Sequence, residues 1–338
     1  MPWRKTQDPY HIWLSEIILQ QTRVAQGLPY YLSFIKTFPT VFDLAEAQED
    51  AVLKLWQGLG YYSRARNLHS TAKIVANEMN GIFPKSYKEL LKLKGVGDYT
   101  ASAIASICYN EVVPVLDGNV YRVLSRYFNI TTPINQSSGA KEFKKLAWQV
   151  IDAEEPATYN QAIMEFGALQ CKPQNPYCII CPLNSGCMAL EKGKVSELPI
   201  KLKKVKIKKR FFHYIVFHIN QRETVIQQRK GKGIWQNLYE FPLLETSTAA
   251  DLKTIKTSET FKTWTNQQSH EIHVFNDKSI VHKLSHQHIY TTFYIVTLQK
   301  PPLLQEHQQL IPLSEIHKYP VPVLIATFLG TFLKKEFN

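Results

Sequence analysis

The stretch LLKLKGVGDYTASAIA, residues 90–105, decides how the first half of the chain is read. Apolar residues at helical spacing run up to Lys94, glycines at 95 and 97 interrupt them, and a second helical pattern follows. The pattern predicts a helix, a tight turn and a helix. Gly95 and Gly97 allow tight backbone angles and the close approach of another backbone. Asp98 or Thr100 is expected to cap the second helix, whose first amides point outward and favour anions. Such a hairpin, with Val96 between its glycines, can grip a phosphate without reading sequence. Many turns of this kind only connect two helices.

Working outward, PYHIWLSEIILQQTRV (9–24), DYTASAIASICYNE (98–111) and GNVYRVLSRYF (118–128) also carry helical spacing between Pro, Gly and Asn punctuation. From residue 211 the texture changes. FFHYIVFHI (211–219), ETVIQQRK (223–230) and HQHIYTTFYIVTL (286–298) are aromatic and β-branched and predict strands, and VPVLIATFLGTFLKK (321–335) predicts a final helix. The expected organisation is a helical domain over 1–190, a linker over 191–210 and a second domain over 211–338, a multidomain α and α+β protein. The linker contains KLKKVKIKKR (201–210), seven basic residues without an acid, which is either a solvated connector or a phosphate-tracking segment.

The formal net charge is +12. Such an excess favours polyanions, nucleic acid first and anionic membrane second, although charge can also serve solubility alone. The start MPWRKTQDPYHIW lacks the apolar core of a leader, and VLIATFL (323–329) is too short to span a bilayer, so a soluble cytoplasmic protein is expected.

Four of five cysteines, Cys171, Cys178, Cys181 and Cys187, lie in CKPQNPYCIICPLNSGC with spacing C-x6-C-x2-C-x5-C. In a reducing compartment clustered thiols bind metal more often than they pair. Structural zinc usually takes two close pairs separated by a longer loop, whereas thiolates on one compact loop suit an iron–sulfur cluster; zinc shares the four-thiolate chemistry. Either would order a loop with little core of its own, and Lys172 and Lys192 beside it could meet phosphate. Cys108, in ASAIASICY, is expected to be a small core residue.

GVGDYTASA (95–103), followed by VPVLDGNVYRVLSR (113–126) and the cysteine loop, resembles the helix-hairpin-helix DNA glycosylases of the endonuclease III superfamily. PWRKTQDPYHIWLSEIILQQTRV (2–24) and GLGYYSRARNLH (58–69) look like the MutY-type adenine DNA glycosylases within it. The resemblance implies an all-helical glycosylase domain with a 4Fe–4S cluster on the four cysteines, and then a Nudix-like α/β domain. It also implies base excision repair by a monomer, nucleoid-associated when bound, acting on duplex DNA with adenine opposite 8-oxoguanine or guanine.

Glycosidic hydrolysis needs a protonated leaving base and a stabilised sugar cation, services that two carboxyl groups in different environments can supply. Glu16 lies in an apolar helix with Trp13, Gln20 and Arg23 at helical spacing; burial would keep it protonated, while an exposed pair with Arg23 would not. By resemblance Glu16 is the acid that protonates adenine N7. Asp117, a natural helix cap, is by resemblance the group that stabilises the sugar cation, supported by Asn119. Tyr99 stands where bifunctional relatives carry a Schiff-base lysine, so an efficient lyase step is not expected; Lys94 does not match that position.

By the same resemblance Gln20, Gln21 and Thr22 enter the duplex, Tyr61 wedges beside the oxidised guanine while Tyr62 packs, and Arg4 and Gln161 line the adenine pocket. Glu165 reads as a capping or pairing residue. In the second domain GIWQNLYEFP (233–242) and HKLSHQH (282–288) match the recognition domain, with Ser285 and His286 retained and Leu284 replacing a phenylalanine. ETSTAADLKTIKT (245–257) lacks the glutamates of a Nudix hydrolase, so no hydrolase chemistry is expected there. The family carries a helix ahead of its Leu-Pro-Trp-Arg segment, and its absence before MPWRK is expected to weaken the cluster-bearing half. Two rival readings are a glycosylase/lyase for oxidised pyrimidines and a noncatalytic lesion-binding scaffold.

Overall fold

The structure is a computed structural model that describes residues 1–202, 207–266 and 268–336. Lys203, Lys204, Val205 and Lys206 of the expected linker lie outside the described residues. The chain forms two compact units, Met1–Glu46 with Asn67–Lys204, and Ala47–Arg66 with Val205–Asn338. Among the described residues no helix is long and apolar enough to cross a membrane.

Residues up to 191 supply helices α1 (Pro9–Leu19), α2 (Val24–Thr37), α3 (Val41–Glu46), α4 (Glu49–Leu55), α5 (Ser63–Glu78), α6 (Tyr87–Leu90), α7 (Asp98–Tyr109), α8 (Gly118–Tyr127), α9 (Ser137–Val150), α10 (Pro156–Leu169) and α11 (Met188–Glu191). Helix α1 starts where Asp8 accepts hydrogen bonds from the amides of Tyr10 and His11, with Pro9 set for the first turn. It buries residues on nearly every side, from Tyr10 to Ile18, as a helix inside a core must. Its neighbour α7 is buried from Thr100 to Ile107 and is built largely of Ala and Ser, so α1 and α10 can pack closely against it.

Between α7 and α8 the chain runs extended through Val113 and Val115. Fully buried Asn160 on α10 holds it there: its side-chain amide donates to the Val113 carbonyl at 2.8 Å and its oxygen accepts from the Val115 amide at 3.1 Å. An asparagine thus imitates a strand partner for a segment without one, which satisfies two buried backbone groups.

The second unit is built on strands β1 (Lys208–Ile219), β2 (Glu223–Gln228), β3 (Tyr239–Glu240), β4 (Leu243–Thr246), β5 (Glu271–Val274), β6 (Ile280–Lys283), β7 (Gln287–Leu298) and β8 (Gln308–Pro312), with helices α12 (Leu252–Thr257), α13 (Glu259–Thr265) and α14 (Val323–Glu336). The sheet order is β3-β2-β1-β7-β5, with β4 on β1, β6 on β7 and β8 on β2; β1 and β7 are parallel and the other pairs antiparallel. Alternate residues of β1 and β7, Ile215, Phe217, Tyr294 and Val296, meet Ile255, Phe261 and Trp264 of α12 and α13. On the opposite face Phe293 stacks on Phe328 of α14 at 4.0 Å, and Phe332 meets His218. Burial on both faces explains why FFHYIVFHI is apolar apart from His213 and His218, which are themselves buried.

Lys208, Lys209 and Arg210, expected in the linker, open β1 instead, paired in parallel with Gln287, His288 and Ile289. Ladder hydrogen bonds with β7 override a composition that reads as solvated linker. Residues 47–66 join this unit through side chains. Asn237 Nδ2 donates to Glu49 at 2.6 Å, the Tyr239 hydroxyl to Asp50 at 3.0 Å, and Arg66 to the Gln236 carbonyl at 2.9 Å.

Asn160→Leu keeps the volume but strands one buried amide and one buried carbonyl. It should destabilise the helical unit by about 2–5 kcal/mol, measured as an earlier urea midpoint.

Candidate active site

Tyr99, in the first turn of α7, donates its hydroxyl to Glu16 Oε2 on α1 at 2.7 Å and approaches Met164 Sδ of α10 at 3.4 Å. Burial pushes the Glu16 carboxyl above the usual carboxylate range. The Tyr99 hydrogen bond and the Arg4 charge pull it back, and the negative charge of Asp117 raises it further. Burial, then the Glu16 charge, hold Tyr99 firmly in its phenol form. Arg23, the sequence alternative as a partner for Glu16, is exposed.

Asp117 is the N-cap of α8. Its Oδ1 accepts from the amides of Asn119 and Val120 at 2.9 and 2.8 Å, and its Oδ2 accepts from Asn119 Nδ2 at 2.7 Å. Capping and partial exposure therefore coexist at one carboxylate. Asn119 is fixed in turn by Arg122, which donates Nη2 to its Oδ1 at 2.9 Å.

Gln20 leaves α1 and donates to Thr100 Oγ1 at 3.2 Å, while the Thr22 hydroxyl donates to the Gln20 carbonyl at 3.2 Å. Between them Gln21 is exposed and takes the left-handed backbone (φ 56) that side chains seldom adopt, the kind of local strain that collects at ligand contacts. Arg4 and Gln161 border one cavity of about 770 Å³, together with Thr158 and Glu165.

At the hairpin only Gly95 needs a glycine conformation (φ 80), and a Cβ there would come within 2.7 Å of Asn67. Gly97 has an ordinary φ of −90, and a Cβ on it would meet nothing within 4 Å. The Val96 side chain is buried, so only its backbone can serve the surface. Neither Asp98 nor Thr100 caps α7, contrary to expectation. Gly97 is its N-cap; Asp98 is drawn to Tyr87 and Lys144, and Thr100 is buried under Gln20.

The four loop cysteines line one small cavity with Val123, Arg126 and Phe166, and none is in a disulfide. Among the described residues no three or more His, Cys, Asp or Glu side chains are arranged to hold a single metal ion. Four thiols on the wall of one hollow are a donor set with the chemistry of a thiolate-bound metal centre. Two buried guanidinium groups hold the loop. Arg126 donates to the carbonyls of Lys172 (2.7 Å), Pro173 (3.1 Å) and Leu198 (3.0 Å) and lies 3.4 Å from Cys171 Sγ. Arg122 donates to the carbonyls of Cys171 (2.7 Å) and Gly167 (2.6 Å). Sequence reading passed over both. Their signal was two arginines four residues apart on one face of a helix, next to the apolar Val120, Val123 and Leu124.

Within the second unit, the Tyr61 hydroxyl lies 2.6 Å from Ser285 Oγ at the tip of the β6–β7 hairpin. Both border a cavity of about 540 Å³ with Arg66, Arg210, Trp235 and His286. Exposed Tyr61 takes a left-handed φ of 46, while Tyr62 is buried. Leu284 donates its amide to the Gln287 carbonyl at 2.8 Å, which closes the turn that presents Ser285 and His286. Cys108 is partly buried, and burial pushes its thiol up to about 12.

Residues 14–152 match the HhH-GPD superfamily of base excision DNA repair proteins, and residues 213–331 match the NUDIX domain. An adenine DNA glycosylase of Buchnera aphidicola subsp. Baizongia pistaciae (strain Bp) is 42% identical over 246 residues, which cover 72% of this chain and 68% of that protein. Another, of Buchnera aphidicola subsp. Schizaphis graminum (strain Sg), is 36% identical over 290 residues, 85% of this chain and 80% of that protein. Among solved structures, a thermostable thymine-DNA glycosylase superposes with a TM-score of 0.53 at 30% identity, over 57% of this chain and 88% of that one. On these similarities the chain belongs to the adenine DNA glycosylase family, DNA N-glycosylases of base excision repair that carry a helix-hairpin-helix domain and a Nudix-type domain.

Proposed function

We propose that the protein removes adenine paired with 8-oxoguanine or guanine, as a monofunctional glycosylase with Glu16 as general acid. The observation that carries this reading is the Tyr99–Glu16 hydrogen bond at a buried carboxyl. A phenol donor occupies Oε2 and leaves Oε1 to carry a transferable proton. A cationic partner there would ionise the acid.

In this chemistry Glu16 gives its proton to adenine N7. The bond from the sugar C1′ to adenine N9 then breaks, with its electron pair leaving on the base. The Asp117 carboxylate, held by two amides and Asn119, faces the positive charge that develops on the sugar. Glu16, now a carboxylate, takes a proton from the water that attacks C1′, which returns the acid to its starting form. No amine stands at position 99 to form a Schiff base, so the phosphodiester stays intact.

Duplex DNA is the partner in this reading. Gly95, Val96 and Gly97 offer backbone to phosphate, Gln20, Gln21 and Thr22 enter the helix, and Arg4 and Gln161 border the adenine pocket. Tyr61, Ser285 and His286 inspect the opposite base. Their shared cavity, lined by aromatic, hydroxyl and basic side chains, is suited to an oxidised purine. Cys171, Cys178, Cys181 and Cys187 would hold a 4Fe–4S cluster, which when bound supplies a fixed centre that orders the loop beside Arg122 and Arg126.

Single-turnover assays on adenine opposite 8-oxoguanine should release adenine, with strand scission only after alkali; scission without alkali would favour the lyase reading. Glu16→Gln should slow release by about 10²–10⁴-fold. Full activity in that variant would remove Glu16 from the acid's role.

Because release needs Glu16 protonated, its rate should fall as pH rises through the elevated pKa of this group. Tyr99→Phe removes a contact that lowers that pKa, so the basic limb of the pH–rate profile should move to higher pH. Ser285→Ala should narrow the preference for 8-oxoguanine over guanine by about tenfold, read from the ratio of the two single-turnover efficiencies, and leave release from the guanine mispair little changed.

A further inference from the structure

Asp98 places a carboxylate at the first residue of α7, beside the hairpin glycines. An acid there is attracted by the amides of its own helix and would repel a backbone phosphate seeking the same amides. Its side chain goes elsewhere. The Tyr87 hydroxyl, from the first residue of α6, donates to Asp98 Oδ1, and Lys144 of α9 pairs with the same oxygen. Lys144 also donates to the Tyr87 hydroxyl at 3.0 Å and lies 5.3 Å from the centre of its ring. One ammonium group therefore closes a three-membered network spanning three helices. Among the described residues no side chain caps α7, and the position where a Gly97 side chain would sit is open.

We propose that Lys144 is a DNA-positioning residue: with Tyr87 it holds the Asp98 carboxylate off the α7 amides and cancels its charge, so that a backbone phosphate can occupy the hairpin. This rests on the duplex binding proposed above. A simple surface ion pair contributes little to stability. Its weight here lies in what approaches it, because an uncancelled carboxylate acts directly on a phosphate a few ångströms away.

The test is binding of the full chain to a fully paired duplex, by fluorescence anisotropy across a salt series. Lys144→Met should weaken binding by about tenfold and lower the slope of log affinity against log salt by about one. Asp98→Asn should act the opposite way, tightening binding several-fold and raising the slope by about one, because Lys144 becomes available to phosphate. The double variant should return to within about threefold of the wild type. If the pair only braces the hairpin, Asp98→Asn weakens binding and the double variant is no better than Lys144→Met; either result overturns the inference while duplex binding by the wild type stands. A wild type that binds no duplex overturns the functional reading and this inference together. Should Lys144→Met fail to fold, the direction of the Asp98→Asn change decides alone.

Discussion

The Tyr99–Glu16 hydrogen bond joins the two most buried helices of the helical unit, α1 and α7, and their packing exists around it. A carboxyl on a helix as apolar as α1 must either stay protonated or find a cation. Here its nearest partner is a neutral phenol, with Arg4 acting at longer range, so burial outweighs the opposing contacts and the acid stays above its ordinary range. The small residues of α7 bring the backbones close enough for the phenol to reach across. A bulkier α7 would separate the pair and expose both groups to water.

The second carboxylate, Asp117, has a different environment: it is partly exposed and both its oxygens accept from amide donors. That arrangement depends on a chain of contacts far from it. Asn160 fixes the extended segment that delivers Asp117, and Asn119 leans on Arg122, which in turn grips the carbonyl of Cys171. Arg126 repeats the grip one turn later on Lys172 and Pro173. Guanidinium groups suit this work because their fixed fork can satisfy several carbonyls of an irregular loop at once. The cysteine loop and the α8 cap are thus parts of one hydrogen-bonded assembly.

In the second unit, the central strands β1 and β7 are largely buried, while β5 and β6 at the side of β7 are mostly exposed. Trp235 takes left-handed backbone (φ 59), costly for so bulky a side chain, and Asn237 takes it too (φ 65), as asparagine does more readily; the contacts of Glu49, Asp50 and Arg66 with residues 236–239 hold the segment there. The turn at 284–287 sets Ser285 at hydrogen-bond distance from Tyr61, a neighbour 224 positions away in sequence.

Short-range information in the sequence was enough for much of this. Helical spacing up to residue 128, the β-branched runs after 211, the glycine-punctuated hairpin and the cysteine spacing are all local patterns, and the structure has helices, strands and a shared cysteine cavity at those places. Glu16, Asp117 and Tyr99 stand out within a few residues as an acid in an apolar helix, an acid before a helix and a tyrosine after the hairpin glycines, but local pattern alone left an exposed ion pair, a plain helix cap and simple packing open for them, and only the resemblance to a family gave them chemical roles. What only the tertiary structure decided depends on partners distant in sequence. Asn160 reads as an ordinary helix residue until Val113 and Val115 are seen against it. Lys208 to Arg210 read as linker until β7 pairs with them. Asp98 reads as a cap until Lys144 claims it. Local composition sets what a segment can become, but a polar side chain spends its hydrogen bonds on whichever distant group folding brings within about 3 Å, and no window of sequence contains that choice.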